Sequence, residues 1–322
     1  MDSRHFISLA VILLVASVIL TNCSDLEPPL RVGCNPWPGY LALYYARDLH
    51  FFKEQDARLI DFDSTEDTIA AFRSGTIDAA AVTLDEALLL ADKGQSLRIV
   101  LIFDTSNGAD AVLARPPIET PAQLRGRRIA VETNALGAYM LARLLEFGKL
   151  QLDDVTIVHV PLQEQMQAYR DGKVDAVITF EPLRSQLLAD GAREVFSSRD
   201  IPGEIVDVLA IRERALEQKG PQIQRLLQGY FAGLHRLQQD PTAAAEQLRQ
   251  RTGTSGRVLL HAWQNMTLAD RANNLQLLGN SAGGLDPVLQ RLQKVMLDNK
   301  LLSGPVETKH LLDNRLLQES TR

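Results

Sequence analysis

The stretch Ala71-Phe72-Arg73-Ser74-Gly75-Thr76-Ile77-Asp78-Ala79 returns 97 positions later as Ala168-Tyr169-Arg170-Asp171-Gly172-Lys173-Val174-Asp175-Ala176. Each copy ends a helical pattern at a glycine, which is a common helix stop, and leads into an apolar strand. At the same spacing, Arg31-Val32-Gly33-Cys34 aligns with Arg128-Ile129-Ala130-Val131. Two matches at one spacing predict two lobes of similar build.

Each predicted lobe alternates short apolar strands with helices. Strands are expected at 31–34, 57–62 and 77–82, and again at 128–131, 155–160 and 176–179. Helices are expected between them at 41–52, 67–74, 136–147 and 164–171. Strands that alternate with helices need right-handed crossovers and a largely parallel sheet. The pattern therefore predicts an α/β protein of two lobes, each a mostly parallel sheet with flanking helices.

The segments outside the repeat predict a hinge. Apolar strands at 97–103 and 111–114 lie between the lobes, and another at 205–211 follows the second, so the chain should cross twice. Beyond residue 221 the spacing is helical, with helices expected at 243–251, 257–264, 287–297 and 308–317. The predicted divisions are a signal peptide at 1–22, a tether at 23–30, the first part of lobe one at 31–110, lobe two at 111–206, and the return to lobe one with C-terminal helices at 207–322.

Composition narrows the class of protein. The 322 residues are 45% hydrophobic and 23% charged, which is ordinary for a globular protein of about two domains. The net charge of −6 argues against a nucleic-acid binder, which usually carries a basic excess. Two cysteines, Cys23 and Cys34, make neither a disulfide framework nor a metal-binding pattern.

The N-terminus has the features of an export signal. Arg4 and His5 precede an apolar run at 6–20, which is short for a membrane span and typical of a signal peptide. The run ends in Leu20-Thr21-Asn22-Cys23, which resembles the bacterial lipobox, in which the cysteine is acylated. Lipid attachment at Cys23 is the interpretation we favour, with an uncleaved anchor helix or plain secretion as alternatives. All three place the body of the protein outside the cytoplasm.

Four motifs in order carry a family likeness. They are Trp37-Pro38-Gly39-Tyr40, Ser74-Gly75-Thr76-Ile77-Asp78-Ala79, the stretch at 124–131, and Gly172-Lys173-Val174-Asp175-Ala176 leading to Phe180-Glu181-Pro182. With them the chain resembles the extracytoplasmic substrate-binding proteins of the nitrate/sulfonate/taurine type, whose fold is shared by the thiamine-pyrimidine-binding proteins. The resemblance covers about residues 31–215. It implies a two-lobe periplasmic-binding-protein fold (type II) that closes on a small molecule and hands it to an ABC transporter permease.

Ligands of such sheets lie beyond the carboxyl ends of the strands, so the loops there supply the candidate ligand-binding residues. These are Trp37, Gly39, Tyr40, Ser64, Thr65, Thr83, Asp85, Asn107, Asp110, Glu132, Thr133, Asn134, Phe180, Glu181 and Asp207.

Several of these candidates also have a structural interpretation. Trp37 lies among turn-forming residues, where it could cover a ligand or pack as a core aromatic. Ser64 and Thr65 could hold an anionic group at a helix N-terminus or simply cap that helix. Glu132 could contact a ligand or complement a helix dipole.

The predicted cleft loops are acidic. Asp85, Asp110, Glu132, Glu181 and Asp207 fall in or near them, and no lysine or arginine does. A bound oxyanion would need such bases or many backbone donors, so we expect a cationic, amine-bearing or neutral hydrogen-bonding ligand. Glu181 is the leading candidate, because it follows a buried strand. The alternative is that these acids are solvated loop charges.

Catalytic patterns are missing from the sequence. The six histidines are scattered, and there is no HExxH, GxSxG, P-loop or GxGxxG motif. Taken with the resemblance, this leads us to expect a monomeric solute-binding lipoprotein without a cofactor, which captures a small nitrogen- or sulfur-containing metabolite for an ABC importer. A sensor subunit that signals to a membrane kinase or cyclase and an exported enzyme are the alternatives.

Overall fold

The computed structural model describes residues 28–132, 134–279 and 283–319. Its strands are β1 (Leu30–Cys34), β2 (Ala57–Asp61), β3 (Ala79–Thr83), β4 (Leu97–Ser106), β5 (Asp110–Ala114), β6 (Arg128–Val131), β7 (Thr156–His159), β8 (Ala176–Phe180), β9 (Arg193–Ser197), β10 (Val206–Arg212) and β11 (Met266–Leu268). Its α-helices are α1 (Leu41–Asp48), α2 (Thr65–Ser74), α3 (Leu84–Asp92), α4 (Ala135–Gly148), α5 (Leu162–Arg170), α6 (Leu183–Ala189), α7 (Glu213–Gln218), α8 (Gly220–Gln239), α9 (Pro241–Thr252), α10 (Gly256–Gln264), α11 (Arg271–Leu277), α12 (Asp286–Asp298) and α13 (Arg315–Glu319).

The strands form two sheets, in the orders β11-β4-β10-β3-β1-β2 and β7-β6-β8-β5-β9. In each sheet the repeated strands pair in parallel, β1 with β2 and β3, and β6 with β7 and β8. Strands next to the crossings pair antiparallel, as β10 does with β3 and β5 with β8. The predicted α/β class with two sheets, flanking helices and a helical C-terminal part is confirmed. The sheets are mixed rather than mostly parallel, because a strand that arrives from the other sheet enters at the carboxyl ends of the repeated strands.

The sequence repeat has a repeated side-chain arrangement. The Arg31 guanidinium lies 2.7 Å from the Asp78 carboxylate and donates to the Gly75 carbonyl oxygen at 3.0 Å. Arg128 makes the same two contacts, with Asp175 at 3.0 Å and with the Gly172 carbonyl at 2.8 Å. Both glycines have positive φ, 78° and 68°, a conformation that other residues rarely adopt. The arginine thus ties the start of one strand to the helix stop before another, once in each sheet.

Two crossings join the sheets, at residues 107–109 and 198–205. They hydrogen-bond to one another, since the Ser106 and Ser198 hydroxyls are 2.8 Å apart and the Gly108 N–H donates to Ser198 Oγ at 2.6 Å. Ser106 N–H also donates to the Ile205 carbonyl at 3.0 Å. The two crossing segments are thus hydrogen-bonded into one hinge, as the sequence predicted.

Two predicted helices differ from the structure. The helix expected at 41–52 ends at Asp48, where His50 takes a left-handed conformation (φ 58°) and the chain turns away. The helix expected at 308–317 is wrong except for its last turn. Instead, Ile99 N–H of β4 donates to the Leu311 carbonyl at 2.7 Å, and the Ile99 carbonyl accepts from Asp313 N–H. Pairing with the sheet edge overrides the helical spacing there.

A cluster of rings supports the loop after β1. Phe103 of β4 packs against Tyr40 and Tyr230, with ring centroids 4.9 Å and 5.4 Å away, and all three side chains are fully buried. Tilted and edge-on ring pairs of this kind add to the stability gained by burial. None of the described helices is both long enough and apolar enough to cross a bilayer.

Candidate functional site

A cavity with a volume of about 670 Å³, which we call the large cavity, lies between the two sheets. Its walls come from the segment after β1, the end of β2, the start of α5, the segment after β8, and the α9–α10 region. The first two belong to one sheet and the next two to the other. The cavity therefore opens at the carboxyl ends of strands from both repeats, where this class of sheet binds ligands.

Trp37 forms one wall of this large cavity. Its ring meets Phe180 edge-on, with centroids 5.8 Å apart, so that an aromatic side chain from each sheet faces the same space. The indole N–H donates to Asp104 Oδ2 at 3.0 Å, and only 6% of the residue is exposed. Trp37 thus lines the cavity and is also anchored in the core, and its contact with a ligand stays a prediction.

One arginine reaches the large cavity from far along the chain. Arg251, at the end of α9, forms an ion pair with Asp61, and its guanidinium lies 3.6 Å from the centre of the Tyr44 ring. The Tyr44 hydroxyl donates to the same carboxylate at 2.6 Å. The expectation of loops without bases was therefore incomplete. The charge of Arg251 is nevertheless neutralised by Asp61.

Two carboxyl groups lie beneath the loop after β1. Asp104 and Asp207 are opposite one another on the neighbouring strands β4 and β10. Asp207 accepts a 2.5 Å hydrogen bond from the Tyr40 hydroxyl. Burial raises the pKa of Asp104 to about 8, with help from Asp110, and burial together with Asp104 raises the pKa of Asp207.

Gly39 and Tyr40 therefore dock the loop and line none of the cavities described here. A Cβ on Gly39 would lie 1.9 Å from Asp104 Oδ2, so only glycine lets the loop approach this closely. Tyr40 is 1% exposed and contacts the hinge strands. The predicted ligand contact of these two residues stays a prediction.

A second, much smaller cavity of about 10 Å³ lies beside Asp110. Phe180 lines both this small cavity and the large one, so its side chain is a shared wall. Glu132 and Asn134 complete the polar part, and Asn134 Nδ2 donates to Glu132 Oε2 at 3.0 Å. Burial raises the pKa of Asp110 to about 7, with contributions from the nearby Asp85 and Glu181 carboxylates.

Glu181, the leading candidate from the sequence, has its hydrogen-bonding capacity taken up by the protein. It is fully buried, and its Oε1 accepts from Arg184 at 3.0 Å, from the Ser185 hydroxyl at 3.0 Å and from Asn265 at 3.3 Å. Its Oε2 accepts from the Ser185 N–H at 3.2 Å. Glu181 thus joins the segment after β8 to the end of α10. A free Glu181 carboxylate in the cleft, as the sequence led us to expect, is not what the structure shows.

A third cavity, of about 760 Å³, shares Asp63 and Gln163 with the large cavity and also includes Ser64, Glu66 and Glu132 in its walls. Ser64 caps α2, since its Oγ accepts from Asp67 N–H at 3.1 Å. Burial raises the pKa of Glu132 to about 7, and the Glu66 carboxylate adds to the effect. Glu66 and Glu132 come from different sheets, so this opening is acidic on both sides.

Four other predicted residues lie away from these three cavities. Thr65 is buried and accepts a hydrogen bond from the Asn35 amide. Thr83 and Asp85 are buried behind the cleft at the start of α3, and burial raises the pKa of Asp85 to about 6. Asn107 is exposed, and its N–H donates to the Asn265 carbonyl at 2.8 Å. Thr133 and Cys23, with the predicted signal peptide and most of the tether, lie outside the described residues.

Several residues in and around the cavities were not among the candidates from the sequence. Tyr44 lies within the helix expected at 41–52, and Arg251 and Leu259 belong to helices that carried no ligand signal. Asp104, which lines none of these cavities, comes directly after the strand expected at 97–103 and was not among the candidates. Arg184, three residues after Glu181 on the next helix, is the one that spacing could have revealed, because an i, i+3 pair shares a helix face. Within the described residues, no group of three side chains is arranged to hold a metal ion.

The chain is similar in sequence to a known protein family and to several characterised proteins. A family model described as the NMT1-like family matches residues 26–250, which is more than half of the chain. The taurine-binding periplasmic protein of Escherichia coli strain K12 is 22% identical over 179 residues, covering 53% of this chain and 55% of that protein. Matches to curated relatives span between 37% and 72% of those proteins' own lengths.

Solved structures confirm the fold. The alkanesulfonate-binding protein SsuA from Xanthomonas axonopodis pv. citri, bound to MOPS, superposes with a TM-score of 0.74 at 19% identity, over 89% of this chain and 96% of that one. The desulfurization enzyme DSZB superposes with a TM-score of 0.67 at 20% identity, over 92% and 99% of the two chains. The same fold thus serves binding proteins and an enzyme, so function has to be argued from the site.

Proposed function

The chain belongs to the NMT1-like family, and from this premise we propose that it is an extracytoplasmic solute-binding protein that delivers a small nitrogen- or sulfur-containing metabolite to an ABC importer. The observation that carries the proposal is the cavity of about 670 Å³ whose walls come from both of the sheets that the two hydrogen-bonded crossings join. A ligand in that space touches both lobes, so its binding energy favours the closed form over the open one.

The lobes in this proposal are 31–110 with 207–322, and 111–206. Closure would bring Trp37 and Phe180 to the same solute, and the contact between their rings supports this. The permease would then read the closed surface. Similarity to the taurine-binding protein supports a periplasmic role, and supports a sulfur- or nitrogen-containing solute in particular.

Small-angle X-ray scattering tests the binding role directly. The purified protein should become more compact with one class of solute from a panel of sulfonates, amines, pyrimidines and oxyanions. A thermal-shift screen over the same panel finds that class, because a ligand at 100 times its dissociation constant stabilises the folded state by about 2.7 kcal/mol. Chemical turnover of the stabilising solute, followed by mass spectrometry, would contradict a pure binding role. If no panel member changed either the compactness or the melting temperature, the proposal would fail.

We further propose that the protein is a lipid-anchored monomer, held at the periplasmic face of a bacterial membrane through Cys23. The support is the apolar run that ends in Leu20-Thr21-Asn22-Cys23. Cys23→Ser should move the protein from the membrane fraction to the soluble periplasmic fraction, with Cys34→Ser as the matched control. Unchanged membrane association of Cys23→Ser would favour an uncleaved anchor helix.

A further inference from the structure

The small cavity beside Asp110 has the size of a single polar head group. Its volume of about 10 Å³ is close to the smallest space that holds one water-sized group. Asp110 is 3% exposed, and its Oδ2 has no hydrogen-bond partner among the described residues. An unpaired buried carboxylate oxygen costs free energy, so this atom calls for a donor from outside the protein.

The β5–β8 pairing directs Asp110 into that space. Asp110 lies opposite Phe180 in the antiparallel register, so the two side chains project from the same face of the sheet. Both line the small cavity, and Phe180 lines the large cavity as well. A solute whose body fills the large cavity can therefore reach Asp110 with its end, past the Phe180 ring.

The surroundings of Asp110 favour a positive charge. It belongs to a group of buried carboxyl side chains at the hinge, with Asp85, Glu86, Asp104 and Asp207. Among the described residues, no lysine, arginine or histidine forms an ion pair with any of these five. Glu181 is also nearby and forms an ion pair with Arg184, so the two charges neutralise one another. When Asp110 and Glu132 are ionised, as at about pH 8, they would repel an anion placed in the small cavity.

We propose that the cleft binds a primary ammonium group at Asp110, on a solute whose apolar body fills the large cavity beside Trp37 and Phe180. This deepens the proposed function and rests on it. An ammonium is compact and carries three donors, which fits a space for one non-hydrogen atom beside a carboxylate. The apolar body fits the large cavity, whose walls include Trp37, Phe62, Met166, Phe180, Leu183 and Leu259.

A set of four probes with the same phenylmethyl body tests the head group. Benzylamine carries the primary ammonium, benzyl alcohol is neutral, phenylmethanesulfonate is anionic, and benzyltrimethylammonium is cationic but too bulky for the small cavity. Calorimetry at about pH 8, where Asp110 is ionised, should give benzylamine at least about tenfold tighter binding than each of the others, since hydrogen bonds to charged groups are the stronger ones.

Asp110→Asn should weaken benzylamine binding about thirtyfold or more and leave benzyl alcohol unchanged, because the charge partner of the ammonium is lost. Asp153→Asn is the matched control, since it removes an exposed carboxylate outside the three cavities and should have little effect. The wild-type probe series does not depend on whether the variant folds.

Equal binding of benzylamine and benzyl alcohol, tighter binding of the sulfonate, or no binding by any of the four would overturn the assignment of an ammonium at Asp110. The proposed function has its own test, since compaction by any other solute class of the wider panel would leave it standing. Failure of the two proposals is therefore distinguishable.

Discussion

Asp104→Asn should change how the stability of the folded protein depends on pH. Asp104 is fully buried, accepts the Trp37 indole N–H at 3.0 Å and lies opposite Asp207. Burial raises its pKa to about 8, with Asp110 adding to the rise. Asparagine keeps an acceptor for the indole N–H and cannot titrate, so the substitution isolates the charge.

The sign follows from the direction of the pKa shift. A carboxyl group with a higher pKa in the folded state holds its proton longer there, so its contribution to stability is fully present below the unfolded pKa of about 3.9. That contribution is lost as the pH rises toward about 8. One such group changes the free energy of unfolding by about 1.4 kcal/mol per pH unit, or about 3 kcal/mol between about pH 5 and about pH 7. The stability of Asp104→Asn relative to wild type should rise by that amount over the interval.

Urea titrations followed by far-UV circular dichroism at several pH values, at constant ionic strength, measure this difference. Asp78→Asn is the matched control with a shift of opposite sign. Burial opposes its ionisation, but hydrogen bonds from Arg31 and Lys219 hold the pKa of Asp78 at about 2. Ionisation of Asp78 makes stability depend on pH only below about pH 4. The free energy of unfolding of Asp78→Asn should therefore differ from that of wild type by a constant amount over the same interval. A difference for Asp104→Asn that is equally flat would refute the reasoning.

Three further predictions follow from the same geometry. Trp37→Ala should weaken solute binding by about 1–3 kcal/mol and also lower the melting temperature, and unchanged affinity in calorimetry would show that Trp37 serves the core alone. Gly39→Ala should lower the free energy of unfolding by about 2 kcal/mol through overpacking against Asp104. Gly220→Ala, which has open space around it, should change the free energy of unfolding by no more than about 0.5 kcal/mol. Equal urea midpoints for the two variants would contradict this. Glu181→Gln should cost about 3 kcal/mol of stability, because it breaks a buried ion pair, and should keep the preference for benzylamine over benzyl alcohol; loss of that preference would return Glu181 to the role that the sequence suggested.

The two-sheet architecture was predictable from the sequence because its signals are local. A glycine that stops a helix, an aspartate just after it and an apolar strand are read within one short stretch, and the stretch occurs twice. The structure explains that repetition by the pairs Arg31–Asp78 and Arg128–Asp175. Where a predicted helix is wrong, a contact between distant parts of the chain explains it. The segment around Leu311 hydrogen-bonds to Ile99 of the sheet and therefore is not helical.

The sequence by itself determined the α/β repeat, the two crossings and the acidic character of the loops around the cleft. Only the tertiary structure decided which acid is free. Glu181 is neutralised by Arg184 and accepts a hydrogen bond from Asn265, which is 84 residues away, whereas Asp110 keeps a buried oxygen without a partner among the described residues. The tertiary structure also brings Arg251 to Asp61 and places Asp104 opposite Asp207. The physical reason is that periodicity reports burial and backbone pairing one element at a time, whereas charge in a cleft depends on desolvation and on partners that distant parts of the chain supply.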